Sequence, residues 1–129
     1  MIKSVVLDAS ALLALLNKEP GALVVEEILS HSVMSAVNVA EVMTELYVKL
    51  NLPIEHAQGI VITLVNKIIP FDLKLATEAA KLRKETKSLG LSLGDRACLA
   101  LSKELHLPIY TADKAWGKLH FPNEIILIR

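Results

Sequence analysis

Four acidic residues in this chain have neighbours and spacing that suit metal chemistry. Asp8 and Asp113 each directly follow a short apolar segment, and Glu41 and Asp95 stand near the starts of longer apolar stretches. Carboxylates that converge repel one another unless a cation joins them. Oxygen ligands without paired His or Cys favour Mg²⁺ or Mn²⁺ over zinc, and carboxylate-bound divalent ions commonly serve phosphodiester cleavage. The chemistry therefore depends on whether the fold brings these side chains together.

Short apolar strands alternate with helices along the chain. The strand candidates are continuous apolar runs, as expected when both faces of a strand are covered. The helix candidates carry apolar residues at helical spacing, and Pro53 and Gly90 stand where a helix should begin and end. The predicted strands are 2–7, 31–35, 68–71, 108–111 and 125–128, and the predicted helices are 10–17, 21–30, 38–50, 53–67, 72–88, 92–105 and 114–119.

This alternation predicts an α/β fold in which helices flank a parallel sheet. Ligands of such sheets bind outside the carboxyl ends of the strands, near the point where the strand order reverses. Asp8 and Asp113 follow predicted strands, and the helix starts that carry Glu41 and Asp95 face the same edge. We therefore expect the four carboxylates to converge there.

Each acid also has a purely structural explanation. Asp8 or Ser10 could cap the helix that follows the first strand. Acids in a first helical turn also suit the helix dipole. Two pairs have the spacing of a capping box, Ser92 with Asp95 and Asn38 with Glu41.

Composition excludes several classes of protein. The 129 residues, 53% of them hydrophobic, suit one domain spanning 1–129 and are too apolar for a disordered chain. One cysteine, Cys98, excludes a disulfide scaffold and a zinc ribbon and is compatible with a reducing cytosol. The apolar runs are far shorter than the roughly 20 residues of a spanning helix, and Asp8 interrupts any signal-peptide-like segment. We expect a cytoplasmic protein without a membrane partner.

The net charge is zero, with 14 basic and 14 acidic residues, so there is no global attraction to nucleic acid. Because the totals are equal, setting the four candidate site acids aside leaves a surplus of four positive charges. The zero is therefore a sum of an acidic pocket and a mildly basic remainder. Bound divalent ions would offset the pocket's repulsion of phosphate.

Four segments that contain these acids carry a family resemblance: VLDASA (6–11), SAVNVAEV (35–42), LSLGDRACLA (91–100) and YTADKAW (110–116). Together they resemble the PIN-domain proteins of the VapC type, the ribonuclease toxins of bacterial and archaeal toxin–antitoxin pairs. The segments occur in the family's order and span essentially the whole chain. Each motif alone is weak evidence for the family, whereas all four in the family's order are a strong signal. None of the acidic positions is lost.

The resemblance implies a three-layer α/β/α sandwich with a central five-stranded parallel sheet. It implies a metal-dependent endoribonuclease, the toxin of a type II pair, that cleaves RNA with Mg²⁺ or Mn²⁺. Asp8, Glu41, Asp95 and Asp113 would form the catalytic and metal-binding site. Asp8 and Asp95 are the expected principal ligands, and Glu41 and Asp113 would complete the shell or position water.

The resemblance also implies supporting residues and partners. Ser10 and Thr111 would support the acids through hydrogen bonds, while Asn38 would either do the same or cap its helix. The partners would be an RNA substrate, a second copy in a homodimer, and an antitoxin whose tail lies along a helical groove and obstructs the site. The apolar surplus of helices 38–50 and 53–67 suits such association.

Other residues receive ordinary interpretations. Cys98 is expected to be a buried small hydrophobe and Trp116 a packing residue. Arg96 either touches phosphate or pairs with a carboxylate. Helix 72–88 is rich in Lys and Arg and could grip an RNA backbone, although its interspersed acids are typical of a solvated face. The histidines show no metal spacing: His31, His56, His106 and His120.

Several alternative functions have sequence requirements that this chain does not meet. A receiver-type phosphoacceptor would show adjacent acids after the first strand, where Val6 and Leu7 precede Asp8. A haloacid-dehalogenase-type phosphatase would need an acid where Ser10 stands, and a nucleotide-binding domain would need a glycine-rich loop. A PIN-like RNA-binding or scaffold module without turnover stays open as the alternative.

Overall fold

The computed structural model describes residues 3–129, which form a parallel sheet of five strands in the order β3-β2-β1-β4-β5. The strands are β1 (Val5–Leu7), β2 (Ser32–Ser35), β3 (Lys67–Ile69), β4 (Ile109–Thr111) and β5 (Ile125–Leu127). The predicted five-stranded parallel sheet is confirmed. Ile2, the first residue of the first predicted strand, lies outside the described residues.

Six α-helices connect the strands within residues 3–129. They are α1 (Ala9–Leu16), α2 (Ala22–Ile28), α3 (Ala36–Thr44), α4 (Ile54–Leu64), α5 (Leu73–Glu85) and α6 (Leu93–Leu105). Short 3₁₀ turns lie at Leu29–His31, Lys87–Leu89 and Lys114–Lys118, and a π-helical turn at Glu45–Lys49 extends α3. None of these helices is both long and apolar enough to cross a membrane.

Two hydrophobic cores, one on each face of the sheet, make the fold three layers deep. Leu7 and Met34 pack with α1, α2, α3 and α4 on one face. Val6, Val33 and Ile109 pack with α5 and α6 on the other. Successive residues of β1 and β2 thus point into opposite cores, as the strand period requires. The predicted α/β/α sandwich is confirmed.

The central strands β1 and β2 are buried on both faces, as the sequence predicts, whereas the edge strands are not. All residues of β1 and β2 are buried, and each of these strands points apolar side chains into both cores. The edge strands β3 and β5 are partly exposed. Continuous apolar runs therefore indicate two-sided burial only at the centre of this sheet.

Several predicted boundaries differ from the structure by two or three residues. Within the described residues the first strand begins at Val5, later than the predicted start at residue 2, and α5 ends at Glu85, three residues before the predicted end. The helix predicted over 38–50 begins earlier, at Ala36, because the Ser35 hydroxyl caps it by accepting the Val37 N–H at 3.2 Å. The following helix ends at Leu64, three residues before the predicted end at Lys67, which instead begins β3. Pro53 is the residue before that helix rather than part of its first turn.

The strand order places a crevice at the centre of the sheet. From β1 the chain builds β2 and β3 on one side and then returns to build β4 and β5 on the other. Strands β1 and β4 are therefore the neighbours at which the winding reverses. A parallel sheet opens a ligand crevice outside the strand ends at this point. Asp8 directly follows β1, and Asp113 stands two residues after β4.

Candidate active site

Asp8 is a buried carboxylate that the local fold holds in place. Its Oδ1 caps α1 by accepting the Ala11 N–H at 2.9 Å and also accepts the Ser10 hydroxyl at 2.7 Å. Its Oδ2 accepts the Thr111 hydroxyl at 2.5 Å. The side chain is only 5% exposed. The capping explanation is thus correct for Asp8, and the same residue also lines the crevice.

Burial raises the pKa of Asp8 from 3.8 to about 6. The hydrogen bonds from Thr111, Ser10 and Ala11 lower the pKa in part, and the nearby negative charge of Asp95 raises it. A carboxylate in this state is stabilised by an adjacent cation more strongly than an exposed one, because the cation offsets the cost of burying the charge.

Ser10 and Thr111 link the ends of β1 and β4. The Ser10 Oγ accepts the Ala112 N–H at 3.0 Å, and the Thr111 Oγ1 accepts the Asp113 N–H at 3.1 Å. Each hydroxyl also donates to Asp8. Two of these bonds, Thr111 to Asp8 and Ala112 to Ser10, join residues about one hundred positions apart in the chain. Together the four bonds orient Asp8 and the backbone of Asp113.

Asp95 and Asp113 are bound to the backbone of their own turns. Asp95 and Ser92 form the predicted capping box, in which the Ser92 N–H donates to Asp95 Oδ2 at 3.0 Å. Asp113 caps the 3₁₀ turn that follows by accepting the Ala115 N–H at 3.0 Å. Asp113 is exposed and Asp95 half-buried, so both retain freedom to turn toward the crevice.

Asn38 does not cap its helix, contrary to one of its two predicted roles, because Ser35 already does so. Glu41 consequently lies beyond the first turn of α3 rather than in it. The Asn38 Nδ2 instead donates to Glu41 Oε1 at 2.9 Å and to the Gly94 carbonyl at 2.9 Å. Asn38 is buried and therefore joins α3 to α6 beside the acids.

The four predicted acids line one cleft of about 250 Å³. Ser10 and Asn38 line it as well. Glu45 also lines this cleft, although it was not among the predicted site residues, and its charge is paired with Lys49 at 3.0 Å. Its spacing of four residues from Glu41 is the sequence signal for this position, since that spacing puts both carboxylates on one helix face.

No basic side chain among residues 3–129 pairs with any of the four predicted acids of the cleft. Hard carboxylate oxygens in this number fit Mg²⁺ or Mn²⁺. In the same residues, no three acidic, His or Cys side chains already stand at metal-binding distance. The donor set therefore suits a divalent ion in its chemistry, and holding one would require the exposed acids to turn inward.

Comparison with known proteins decides the family. The model of the PIN domain family matches residues 5–122. The chain belongs to the PIN domain family. No curated protein sequence matches it.

Several solved structures share this PIN fold. A toxin–antitoxin complex from Klebsiella pneumoniae has a TM-score of 0.76 at 22% identity, with 98% of both chains covered. The DNA-bound VapBC from Salmonella typhimurium has a TM-score of 0.73 at 15% identity, covering 99% of this chain and 100% of the other. Mycobacterium tuberculosis VapC20, a sarcin–ricin loop cleaving toxin, has a TM-score of 0.77 at 18% identity, covering 92% and 96%. At these identities the likeness shows the fold, and it agrees with the resemblance to VapC-type PIN domains.

The structure of this PIN domain also shows the surroundings of Cys98, Trp116 and Arg96 and of the histidines. Cys98 is fully buried beneath the cleft, where burial and the charges of three site acids raise its pKa well above its usual value and keep it a thiol. Trp116 is fully buried, as predicted for a packing residue. Arg96 pairs with no carboxylate among residues 3–129 and donates from Nη1 to the Ala79 carbonyl at 2.9 Å. The histidines join no metal-binding group of the described chain.

The basic helix α5 is partly neutralised by acids. Lys74 Nζ lies 2.6 Å from Glu104, and Lys81 Nζ lies 3.7 Å from Glu78. This part of α5 matches the solvated-face interpretation. The end of α5 and the turn after it keep exposed basic side chains at Arg83, Lys84 and Lys87. Contact of these with RNA stays a prediction.

Proposed function

We propose that this PIN domain is a Mg²⁺- or Mn²⁺-dependent endoribonuclease and the toxin of a type II toxin–antitoxin pair. The observation that carries the proposal is the cleft in which Asp8, Glu41, Asp95 and Asp113 meet without a compensating cation among the described residues. The similar folds of VapC20, which cleaves the sarcin–ricin loop, and of VapBC complexes support it.

The four acids would have different roles in metal binding, according to how firmly the fold holds each of them. Asp8 would be the fixed ligand, because three hydrogen bonds orient its oxygens. Asp95 would be the second principal ligand, and Glu41 and Asp113 would complete the shell or orient the attacking water. A divalent ion held by these residues would supply Lewis acidity at the scissile phosphate and would lower the pKa of bound water.

Cleavage of RNA by the purified chain, free of antitoxin, tests the enzyme. We expect structured RNA to be cut in Mg²⁺ or Mn²⁺ and not in EDTA. Asp95→Asn should abolish cutting, whereas Asp72→Asn should not, because Asp72 caps α5 through the Leu75 N–H and does not line the cleft. Equal cutting by the native chain and Asp95→Asn would refute the assignment of the site.

A PIN-like RNA-binding or scaffold module without turnover is the second candidate. It is favoured by the fact that no three possible ligands among residues 3–129 are already assembled for a metal. If the native chain binds RNA with the same affinity in Mn²⁺ and in EDTA and cuts none of it, this module replaces the enzyme as the better explanation.

We also propose an antitoxin partner and a homodimer. Large apolar side chains are exposed where α3 ends and α4 runs, and protein association would cover them. They are Tyr47, Val48, Leu50, Ile54 and Ile62. Several structurally similar proteins are VapBC complexes, two of them bound to DNA. Expression of the chain alone should arrest bacterial growth, and expression of Asp95→Asn should not.

A further inference from the structure

Gly94 lies directly under the carboxylate of Glu41. It is a buried residue in the first turn of α6. A Cβ atom at this position would stand 2.5 Å from both Cδ and Oε1 of Glu41, and closer still to Oε2. Real Cβ atoms essentially never approach that closely, so any side chain here would push the Glu41 carboxylate away. The Glu41 carboxylate therefore occupies the space that a side chain at position 94 would fill.

Asn38 holds the same carboxylate from a second direction. Its Nδ2 donates one hydrogen to Glu41 Oε1 and the other to the Gly94 carbonyl, each at 2.9 Å. With both hydrogens used, the amide has one orientation. The side chain is 1% exposed and has no room to turn toward solvent. Asn38, Gly94 and Glu41 thus form a closed contact between α3 and α6.

The oxygen atom of the Asn38 side-chain amide indicates that this contact does more than stabilise the fold. Within residues 3–129, Asn38 Oδ1 is buried without a hydrogen-bond partner. A buried acceptor without a partner lowers the stability of a fold. The two hydrogen bonds from Nδ2 therefore come at a cost: one joins α3 to α6, and the other places the Glu41 carboxylate.

We propose that Gly94 and Asn38 are positioning residues that set the Glu41 carboxylate at the wall of the cleft. The proposal rests on the nuclease function proposed for that cleft. Glu41 is exposed, and an exposed Glu has several rotatable bonds, so it would otherwise sample many positions. Gly94 leaves the space, and Asn38 fixes one oxygen within it.

The expected signature is a loss of function without a loss of fold. The atoms that the methyl group of Gly94→Ala would displace are the far end of a flexible side chain, so the displacement itself is cheap. Residues that orient a metal ligand typically contribute about 10- to 100-fold in activity or metal affinity. Gly94→Ala should therefore lower kcat by this factor and weaken Mn²⁺ binding, while RNA affinity in EDTA and the melting temperature stay near native values.

Gly59→Ala is the matched control, because Gly59 is also a helical glycine and a Cβ there meets nothing within 4 Å. Its kcat and Mn²⁺ affinity, measured by the paramagnetic resonance signal of free Mn²⁺, should equal those of the native chain. Glu41→Asp supplies the rescue. Its shorter side chain withdraws from the added Cβ, so it should lower kcat less in Gly94→Ala than in the native background.

A readout that needs neither metal nor RNA completes the test. In metal-free protein, the NMR signals of the Asn38 side-chain amide should shift in Gly94→Ala and stay unchanged in Gly59→Ala. If Gly94→Ala does not fold, Asn38→Leu removes the donor with a side chain of similar shape and no charge, and it should show the same loss of Mn²⁺ affinity.

Native kcat and native Mn²⁺ affinity in Gly94→Ala would overturn the positioning role while leaving the nuclease intact. If the native chain cuts no RNA in either metal, the nuclease proposal fails on its own. In that case a shifted Asn38 amide signal in Gly94→Ala alone still supports the positioning of Glu41, and an unshifted signal overturns it.

Discussion

Asp8 and Asp113 line the same cleft, yet the fold treats the two carboxylates differently. Asp8 is buried, its oxygens accept three hydrogen bonds, and burial raises its pKa to about 6. Asp113 is exposed and accepts one backbone N–H. The first is held in one place at a cost in stability, and the second is free to turn. The cleft therefore has a fixed half and an adaptable half.

This difference explains why four acids share a cleft without forming a ready metal site. Asp8 is fixed and Asn38 holds Glu41, while Asp95 and Asp113 stay with the backbone N–H groups of their own turns. In residues 3–129 no three such groups are assembled. We expect an ion to draw the adaptable acids toward the fixed one. Substitutions in the fixed half should change the free energy of unfolding more than a substitution in the adaptable half.

Asp8→Asn should abolish RNA cleavage and make the metal-free protein more stable. Because folding raises the pKa of Asp8 from 3.8 to about 6, removing its charge should raise the free energy of unfolding at pH 7 by up to about 3 kcal/mol. Urea denaturation in EDTA measures this gain. A variant less stable than the native chain would contradict the claim that Asp8 is held at a cost.

Stability of the native chain should also depend on pH through Asp8. Between pH 3.8 and about 6 the folded chain keeps a proton that the unfolded chain has released. The contribution of this group is thus fully present below about pH 4 and is lost as the pH rises to about 6, in total up to about 3 kcal/mol. Subtracting the values for Asp8→Asn isolates it. A difference that is constant from pH 4 to 7 would refute it.

Thr111→Val removes one hydroxyl from the fixed half without changing its shape. Thr111 donates to Asp8 and accepts from the Asp113 N–H. We expect the free energy of unfolding to fall by about 1–2 kcal/mol and cleavage to fall about 10-fold or more. The control is Thr77→Val, whose exposed hydroxyl bonds only within α5. Equal cleavage rates for the two variants would show that Thr111 does not orient Asp8.

Asp113→Asn tests the adaptable half. Asn caps a helix about as well as Asp, so the free energy of unfolding should change by less than about 0.5 kcal/mol. The same holds for the matched cap substitution Asp72→Asn in α5. Cleavage should fall in Asp113→Asn alone. A loss of stability in Asp113→Asn like that expected for Thr111→Val would show that this half is as rigid as the other.

Local patterns in the sequence were sufficient to predict the order of the elements and the convergence of the four acids on one cleft. The apolar runs predicted every strand. Gly90, in the left-handed conformation at a φ of 61°, ends the 3₁₀ turn at Lys87–Leu89 and not the helix before it as predicted, because α5 already ends at Glu85. The residues after β1 and β4 indicated Asp8 and Asp113, because strand ends meet at one edge in any parallel sheet.

Contacts between distant segments are what the sequence could not show. Asn38 was given a local alternative, capping, since its spacing to Glu41 has that form. Its actual partner across the cleft, the Gly94 carbonyl, lies 56 residues away. Gly94 itself showed no turn or phosphate-loop pattern. Only the approach of α3 to α6 reveals that a side chain there would displace Glu41.

The central claim is that Asp8 is the fixed ligand of a divalent ion that RNA cleavage requires. Single-turnover cleavage of a structured RNA, measured in Mn²⁺ and in EDTA for the native chain and Asp8→Asn, tests it most directly. We predict cutting only by the native chain in Mn²⁺, with Asp8→Asn folded, more stable and still able to bind the RNA. Cutting by Asp8→Asn at the native rate, or by the native chain in EDTA, would contradict it.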